Sequence, residues 1–334
     1  MRVRVAVGAV VVFLTLGSVI SAQQPAGEAL RWFRGNTHTH SLNSDGDSAP
    51  DDVVRWYREN RYHFVVMTDH NVVTPVDGLN ALYAAPDRFL VIHGEEVTDS
   101  AAKKPVHLNL IGGNGFVAPQ GGATPADALR RNIAAMLLAK GVISINHPNF
   151  GWALTADDLV SAGRGAELLE IANAHPLVNN MGGGSSPGAE ALWDSMLTAG
   201  IMIYGVASDD MHELKRPWAM AAARPGQAWV VVRAPRLTAE AILASLARGD
   251  FYSSTGIELT DIQITAQRVS LMIKEQSSSR YTVQFIGRGG QVLKVVTAAP
   301  YHYDITGAEG YVRAKVVDSN GLIAWTQPVV VPAR

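Results

Sequence analysis

Five short apolar runs in this 334-residue chain each end in a cluster of acids, imidazoles or amides, and that recurrence restricts the fold more than any other property of the sequence. Residues 64–67 lead into Thr68-Asp69-His70-Asn71, and residues 89–92 into His93-Gly94-Glu95-Glu96. Residues 142–145 deliver Asn146-His147-Pro148, residues 168–171 deliver Asn173 and His175, and residues 201–206 deliver Ser208-Asp209-Asp210-Met211-His212. Helical stretches are expected at 51–60, 126–140, 190–199 and 238–248, from capping residues and apolar periodicity. Strand, polar cluster, helix, strand is the order of a β/α wound sheet or barrel, an α/β fold in which functional side chains gather where strands end. The clusters are therefore expected to share one site.

A sixth cluster precedes them. In Gly35-Asn36-Thr37-His38-Thr39-His40 the two histidines are one residue apart, so on an extended segment both imidazoles project from the same face. Asp45-Gly46 follows in a turn that can carry a carboxylate back to the same mouth. His107 lies in an alternating stretch, 106–111. With no cysteine in the chain, any metal site must be built from imidazole and carboxylate, donors that suit zinc, manganese or iron.

Composition excludes several classes. At 47% hydrophobic and 17% charged, the chain has the make-up of a packed globular protein. Its 28 basic and 30 acidic residues form no basic field, so a nucleic-acid partner is not expected. Residues 1–22 read as an export signal, with Arg2 and Arg4, an apolar run and a small-residue end at Ala22. This predicts a periplasmic or extracellular protein with no membrane span after cleavage; an uncleaved anchor is the alternative, although the run falls short of the roughly 20 residues that span a bilayer. From residue 259 the sequence changes to short alternating strands separated by Gly, Asp and Asn, predicting a small β-sandwich-like unit at 259–334 behind a main domain at 30–258.

His38-x-His40, Asp45-Gly46, Thr68-Asp69-His70, Gly94-Glu95-Glu96, His107, Asn146-His147-Pro148 and Asp210-x-His212 together resemble the PHP superfamily, named for polymerase and histidinol phosphatase. The resemblance covers roughly residues 35–256, and its variant motifs, export signal and β-rich tail are most similar to the carbaryl-hydrolase-like branch. It implies a distorted (β/α)7 barrel with two or three divalent ions in its mouth. It further implies that His38, His40, Glu96 and Asp210 hold one ion, Glu96, His107 and His147 a second, and Asp45, His70 and His212 a third. Glu95 in place of Glu96, and Asp209 in place of Asp210, remain open. Glu96, Asp210 and His212 are the implied catalytic residues. A hydroxide between two metals roughly 3.5 to 4 Å apart would be the nucleophile.

Around that set, Asp69 and Asn146 are expected to orient ligands, and Asn173, His175, Arg216 and Trp152 to meet substrate. Phe150 and Phe116 can join Trp152 in an aryl wall. Glu170 is read as a buried structural acid, His63 as a residue of a helix-to-strand loop, His93 as either supporting a ligand or merely packed, and His302 has no assigned role. The leading expectation is a phosphoesterase with a small anionic substrate. An ester, carbamate or amide hydrolase is the nearest alternative, and a non-catalytic metal-binding domain with an adhesive β unit a more distant one.

Overall fold

The computed structural model describes residues 29–216, 218 and 221–332, so the export signal expected at 1–22 lies outside the described residues. The chain is a mixed α/β protein. Strands β1 (Arg31–Asn36), β2 (Phe64–Met67), β3 (Leu90–Ala101), β4 (Lys104–Ile111), β5 (Val142–Ile145), β6 (Leu168–Asn173) and β7 (Tyr204–Ser208) lie side by side in chain order. Helices α1 (Pro50–Glu59), α2 (Asp77–Tyr83), α3 (Pro125–Leu138), α4 (Ala156–Ala162) and α5 (Ala189–Thr198) fall between them. Every residue of β2, β5 and β6 is buried, which is why these segments read as continuous apolar runs and not as alternating ones. Helix starts are capped as their sequence suggests: the Thr124 hydroxyl accepts the Asp127 N–H, and Thr155 forms a reciprocal box with Asp158.

Two features depart from a regular (β/α)7 barrel. β3 continues into a tight hairpin, pairing residue for residue with β4 from Gly94↔Ile111 to Ala101↔Lys104, so β4 runs antiparallel to its neighbours and no helix intervenes. Nor does a ladder join β7 to β1. The gap is bridged by the single pair Thr39↔Met211 and by Ser253, whose hydroxyl donates to the Gly205 carbonyl and accepts the Ala207 N–H.

The sheet instead continues past β1. β8 (Trp229–Ala234) pairs antiparallel with β1, helix α6 (Ala239–Arg248) follows, and β9 (Phe251–Ser254) pairs with β8. Beyond it come β10 (Leu259–Ile264), β11 (Arg268–Ile273), β12 (Tyr281–Gly287), β13 (Gln291–Val296), β14 (Tyr301–Asp304), β15 (Tyr311–Asp318) and β16 (Ile323–Thr326). β16 pairs with β9, extending the large sheet through β15, β12 and β13. β10, β11 and β14 form a second sheet, and Ile262, Val269, Leu271 and Tyr301 pack with Val283, Phe285, Ala314 and Val316 in one core. The tail thus has two packed layers, but residue 259 marks no break in the large sheet. Among the described residues no helix is long and apolar enough to cross a membrane.

Candidate metal centre

Past the end of β1 the chain bends at Thr37, and the side chains of His38 and His40 are wholly buried, their ring centroids 5.1 Å apart. The next turn is fixed by a close approach: a Cβ on Gly46 would lie 2.7 Å from the His40 carbonyl carbon, so only glycine lets the loop fold back. That loop sets Asp45 on the rim, its carboxylate 3.3 Å from His212 Nε2 and 3.4 Å from His70 Nε2. Asp69 ties the loop in place by accepting the Ser41 N–H and the hydroxyls of Ser41, Ser44 and Thr74. It contacts loop groups, not an imidazole.

Glu96 lies at the centre. Its Oε1 is 3.3 Å from His38 Nε2 and 3.2 Å from both His107 Nδ1 and His147 Nε2, and its Oε2 is 2.6 Å from His70 Nδ1 and 3.5 Å from His40 Nε2. The Asn146 amide donates to Glu96 Oε1, so this residue orients the carboxylate. Glu95 points elsewhere, accepting the Val117 N–H. At the end of β7 the same division recurs: Asp210 Oδ1 is 3.1 Å from the Nε2 atoms of His38 and His40, while Asp209 is engaged by the Tyr57 hydroxyl and the backbone N–H groups of Gly226, Gln227 and Ala228. In each pair of adjacent acids it is thus Glu96 and Asp210 whose carboxylates face the imidazoles. Asp210 (φ 47°) and His147 (φ 22°) sit in left-handed backbone conformations that non-glycine residues rarely adopt, a strain often found at functional sites.

Donor atoms within 4.8 Å of one another form four groups: His40, Asp45, His70 and His212; His38, His40 and Asp210; His70, Glu96 and His107; and His38, His147 and Glu170. The last contains a residue whose role the sequence reading missed. Glu170 Oε1 is 2.8 Å from His38 Nδ1 and accepts the Ser208 hydroxyl, and Oε2 accepts the His147 N–H. An acid inside the apolar strand Leu168–Asn173 needs a buried partner, and that was the available signal. Asn173 is buried and its amide donates to Glu170 and Asp210, so it braces the two acids and is not open to substrate. His175 lies at the mouth, 5.2 Å from the His212 ring. Phe150 packs on His147 and His107 at 5.3 and 6.2 Å. Trp152 sits instead near Gly183, Phe116 is exposed, and Arg216 is exposed on the loop after His212, so none of the three joins the cluster.

The electrostatics are those of a crowded set of bases. Burial opposes protonation of His38, yet Asp210, Glu96 and Glu170 raise its pKa well above the ordinary value. Burial and the nearby charges of His212 and His38 outweigh Asp210 at His40 and bring it down to about 4. Against burial, Asp45 with Glu96 pushes His70 up to about 10, and Asp45 with Asp210 pushes His212 up to about 9. Burial would raise Glu96, but His38 and His107 hold it well below the carboxylate range.

Whether such a set fits divalent ions is decided by its unmade bonds. His38 Nε2, His107 Nδ1 and Glu96 Oε2 are buried and make no hydrogen bond, although each lies within 3.3 Å of an oppositely charged or polar neighbour. Buried polar atoms are nearly always paired. Here the unpaired atoms belong to donor groups whose ligand atoms lie within 4.8 Å of one another, and the all-nitrogen-and-oxygen donor set suits zinc, manganese or iron.

No family model matches the chain, and no curated protein matches it. Among solved structures it is similar to a two-domain protein from Bacteroides vulgatus containing a predicted PHP-like metal-dependent phosphoesterase, with 15% identity over 90% of this chain and 96% of that one, at a TM-score of 0.49. It is also similar to an amidohydrolase from Chromobacterium violaceum, with 16% identity over 55% of this chain and 88% of that one, at a TM-score of 0.38. Likenesses this distant carry no inference about chemistry.

Proposed function

We propose that the chain is an exported metal-dependent hydrolase of the PHP kind that cleaves phosphoesters. The observation that carries this reading is Glu96, a buried carboxylate within 3.5 Å of five imidazoles, with ligand atoms left unpaired around it. His38, His40 and Asp210, then Glu96, His107 and His147, then Asp45, His70 and His212 would hold two or three divalent ions. Bound there, the ions supply a Lewis acid and lower the pKa of water to near neutrality. The protein's own residues do the remaining work. Glu170 accepts a hydrogen bond from His38 Nδ1–H and so leaves Nε2 unprotonated and facing inward as a ligand, Asn146 and Asn173 hold Glu96 and Asp210 in fixed rotamers, and Asp69 locks the loop that carries Asp45. Four carboxylates (Asp45, Glu96, Glu170 and Asp210) against three divalent ions would leave a net positive mouth, which favours a small anionic substrate.

A second reading has its own support. Phe150, packed on two of the imidazoles, gives the mouth an apolar wall that would suit an aryl ester or carbamate. Initial rates on an aryl phosphate, the matching aryl acetate and the aryl carbamate, with manganese or zinc restored, separate the two. Preference for the phosphate is expected; preference for a neutral ester would move the protein to the carbaryl-hydrolase-like reading.

A further inference from the structure

Next to the cluster, running outward from the implied ligand His107, lies an open depression of about 450 Å³ lined by Thr98, Ser100, Lys103, Lys104 and Pro105 together with Asp99. Its inner end belongs to the centre: the Thr98 hydroxyl is 2.5 Å from His70 Nδ1, and His107 faces Glu96. Its outer end is the β3–β4 turn, where Ala102 (φ 50°) and Lys103 (φ 63°) both adopt left-handed conformations in a two-residue hairpin that elsewhere prefers Asn-Gly. That turn holds two ammonium groups at the rim. Lys104 Nζ donates to the Gly151 carbonyl, beside the Phe150 loop, and Lys103 is exposed with no ion-pair partner among the described residues. The one acid present is committed inward, Asp99 Oδ2 accepting the Gly121 N–H and the Asn132 amide.

Three to four strand residues separate His107 from the lysines, a span of roughly 10–13 Å. Resting on the phosphoester reading, we infer that this depression is a distal anion subsite: the substrate is a phosphoester whose alcohol portion carries a second anionic group, phosphate or carboxylate, held by Lys103 and Lys104 while the ester phosphorus lies over the centre. A small mono-anionic ester would leave the subsite empty and bind less well.

The test compares kcat/KM for glucose 1,6-bisphosphate and glucose 6-phosphate in the wild type, K103A/K104A and an exposed control, K140A. We expect the wild type and K140A to prefer the bisphosphate about tenfold, the preference shrinking with added salt, and K103A/K104A to lose most of it. No preference, or a preference that survives in K103A/K104A, overturns the subsite while leaving the phosphoester reading intact. If neither ester is turned over, the aryl phosphate decides the phosphoester reading, and calorimetric binding of glucose 1,6-bisphosphate decides the subsite separately: weaker binding to K103A/K104A than to wild type supports it, and equal or no binding overturns it.

Discussion

Two buried charged clusters in this molecule solve opposite problems. Between α5 and β15, Arg313 is 1% exposed and meets Asp194 in a bidentate pair at 2.9 and 2.7 Å, Tyr311 donates to the same carboxylate, and Lys315 and Arg313 both reach Glu190. Every charge there has its opposite, so the cluster is complete without anything added, and it fastens the C-terminal strands to the helix. At the strand ends, imidazoles crowd one another and buried ligand atoms stay unpaired. Such unpaired atoms call for a partner from outside the chain, as a bound cation would be. The contrast separates a structural charge network from a binding one by counting partners.

Removing one ligand should break the second cluster most severely. Asp210→Ala is expected to lower phosphoester turnover by at least about 10⁴-fold, more than 5 kcal/mol of barrier, with the circular dichroism spectrum unchanged. Turnover within tenfold of wild type would remove Asp210 from the centre.

The α5–β15 cluster should respond in the other currency. Arg313→Met leaves the Asp194 carboxylate buried without its counter-charge and is expected to cost about 3–5 kcal/mol of stability, with kcat per folded molecule unchanged. Adding Asp194→Leu should recover much of the loss in denaturant unfolding, since well-packed apolar residues can replace a buried pair. A large fall in kcat for the soluble single variant would mean that the two clusters are coupled.

Smaller effects sharpen the assignment of Glu170. Glu170→Gln keeps the shape but weakens the acceptor for His38 Nδ1, and metal affinity measured by competition with a chelator should fall about 10- to 100-fold. An unchanged affinity would return Glu170 to a structural role.

Smallest, and most specific, is the pH dependence of stability. In metal-free protein His70 and His212, pushed up to about 10 and about 9, favour the folded state fully below their ordinary value of 6.5 and lose that contribution as pH rises through 9 to 10. Asp45, held below the ordinary 3.8, contributes above that value and loses it only in acid. The Tm of chelated protein should therefore fall by a few degrees between pH 7 and 10. Metal binding requires neutral imidazoles, so the Tm increment from added metal should grow over the same range. Parallel profiles with and without metal would contradict this.

Much of the centre was legible because its chemistry is written in residue types at strand ends: His38, His40, His70, His107, His147 and His212 need no neighbour information to be read as candidates. What could not be read was direction. Glu95 and Glu96 are adjacent acids on one strand, and only the alternation of β3 decides which faces the imidazoles. Arg216 and Trp152 are near ligands in sequence, but the loops that carry them turn outward, and sequence proximity does not fix a loop's path. In the fold, residues 106–111 read as a strand, yet nothing local shows that it pairs backwards on β3. The joining of β9 to β16 was also hidden, because pairing across some 70 residues depends on the whole sheet and not on either segment.

The central claim is that the imidazole cluster is a multinuclear metal centre built around Glu96. Its most direct test is the number of manganese or zinc ions bound per chain after chelation and reconstitution, measured together with turnover on the same samples for wild type and Glu96→Ala. Two or three ions are expected in the wild type, with activity that rises with their loading, and at least one ion fewer with no activity in the variant. Full activity in metal-free protein, or equal metal content in the variant, would contradict it.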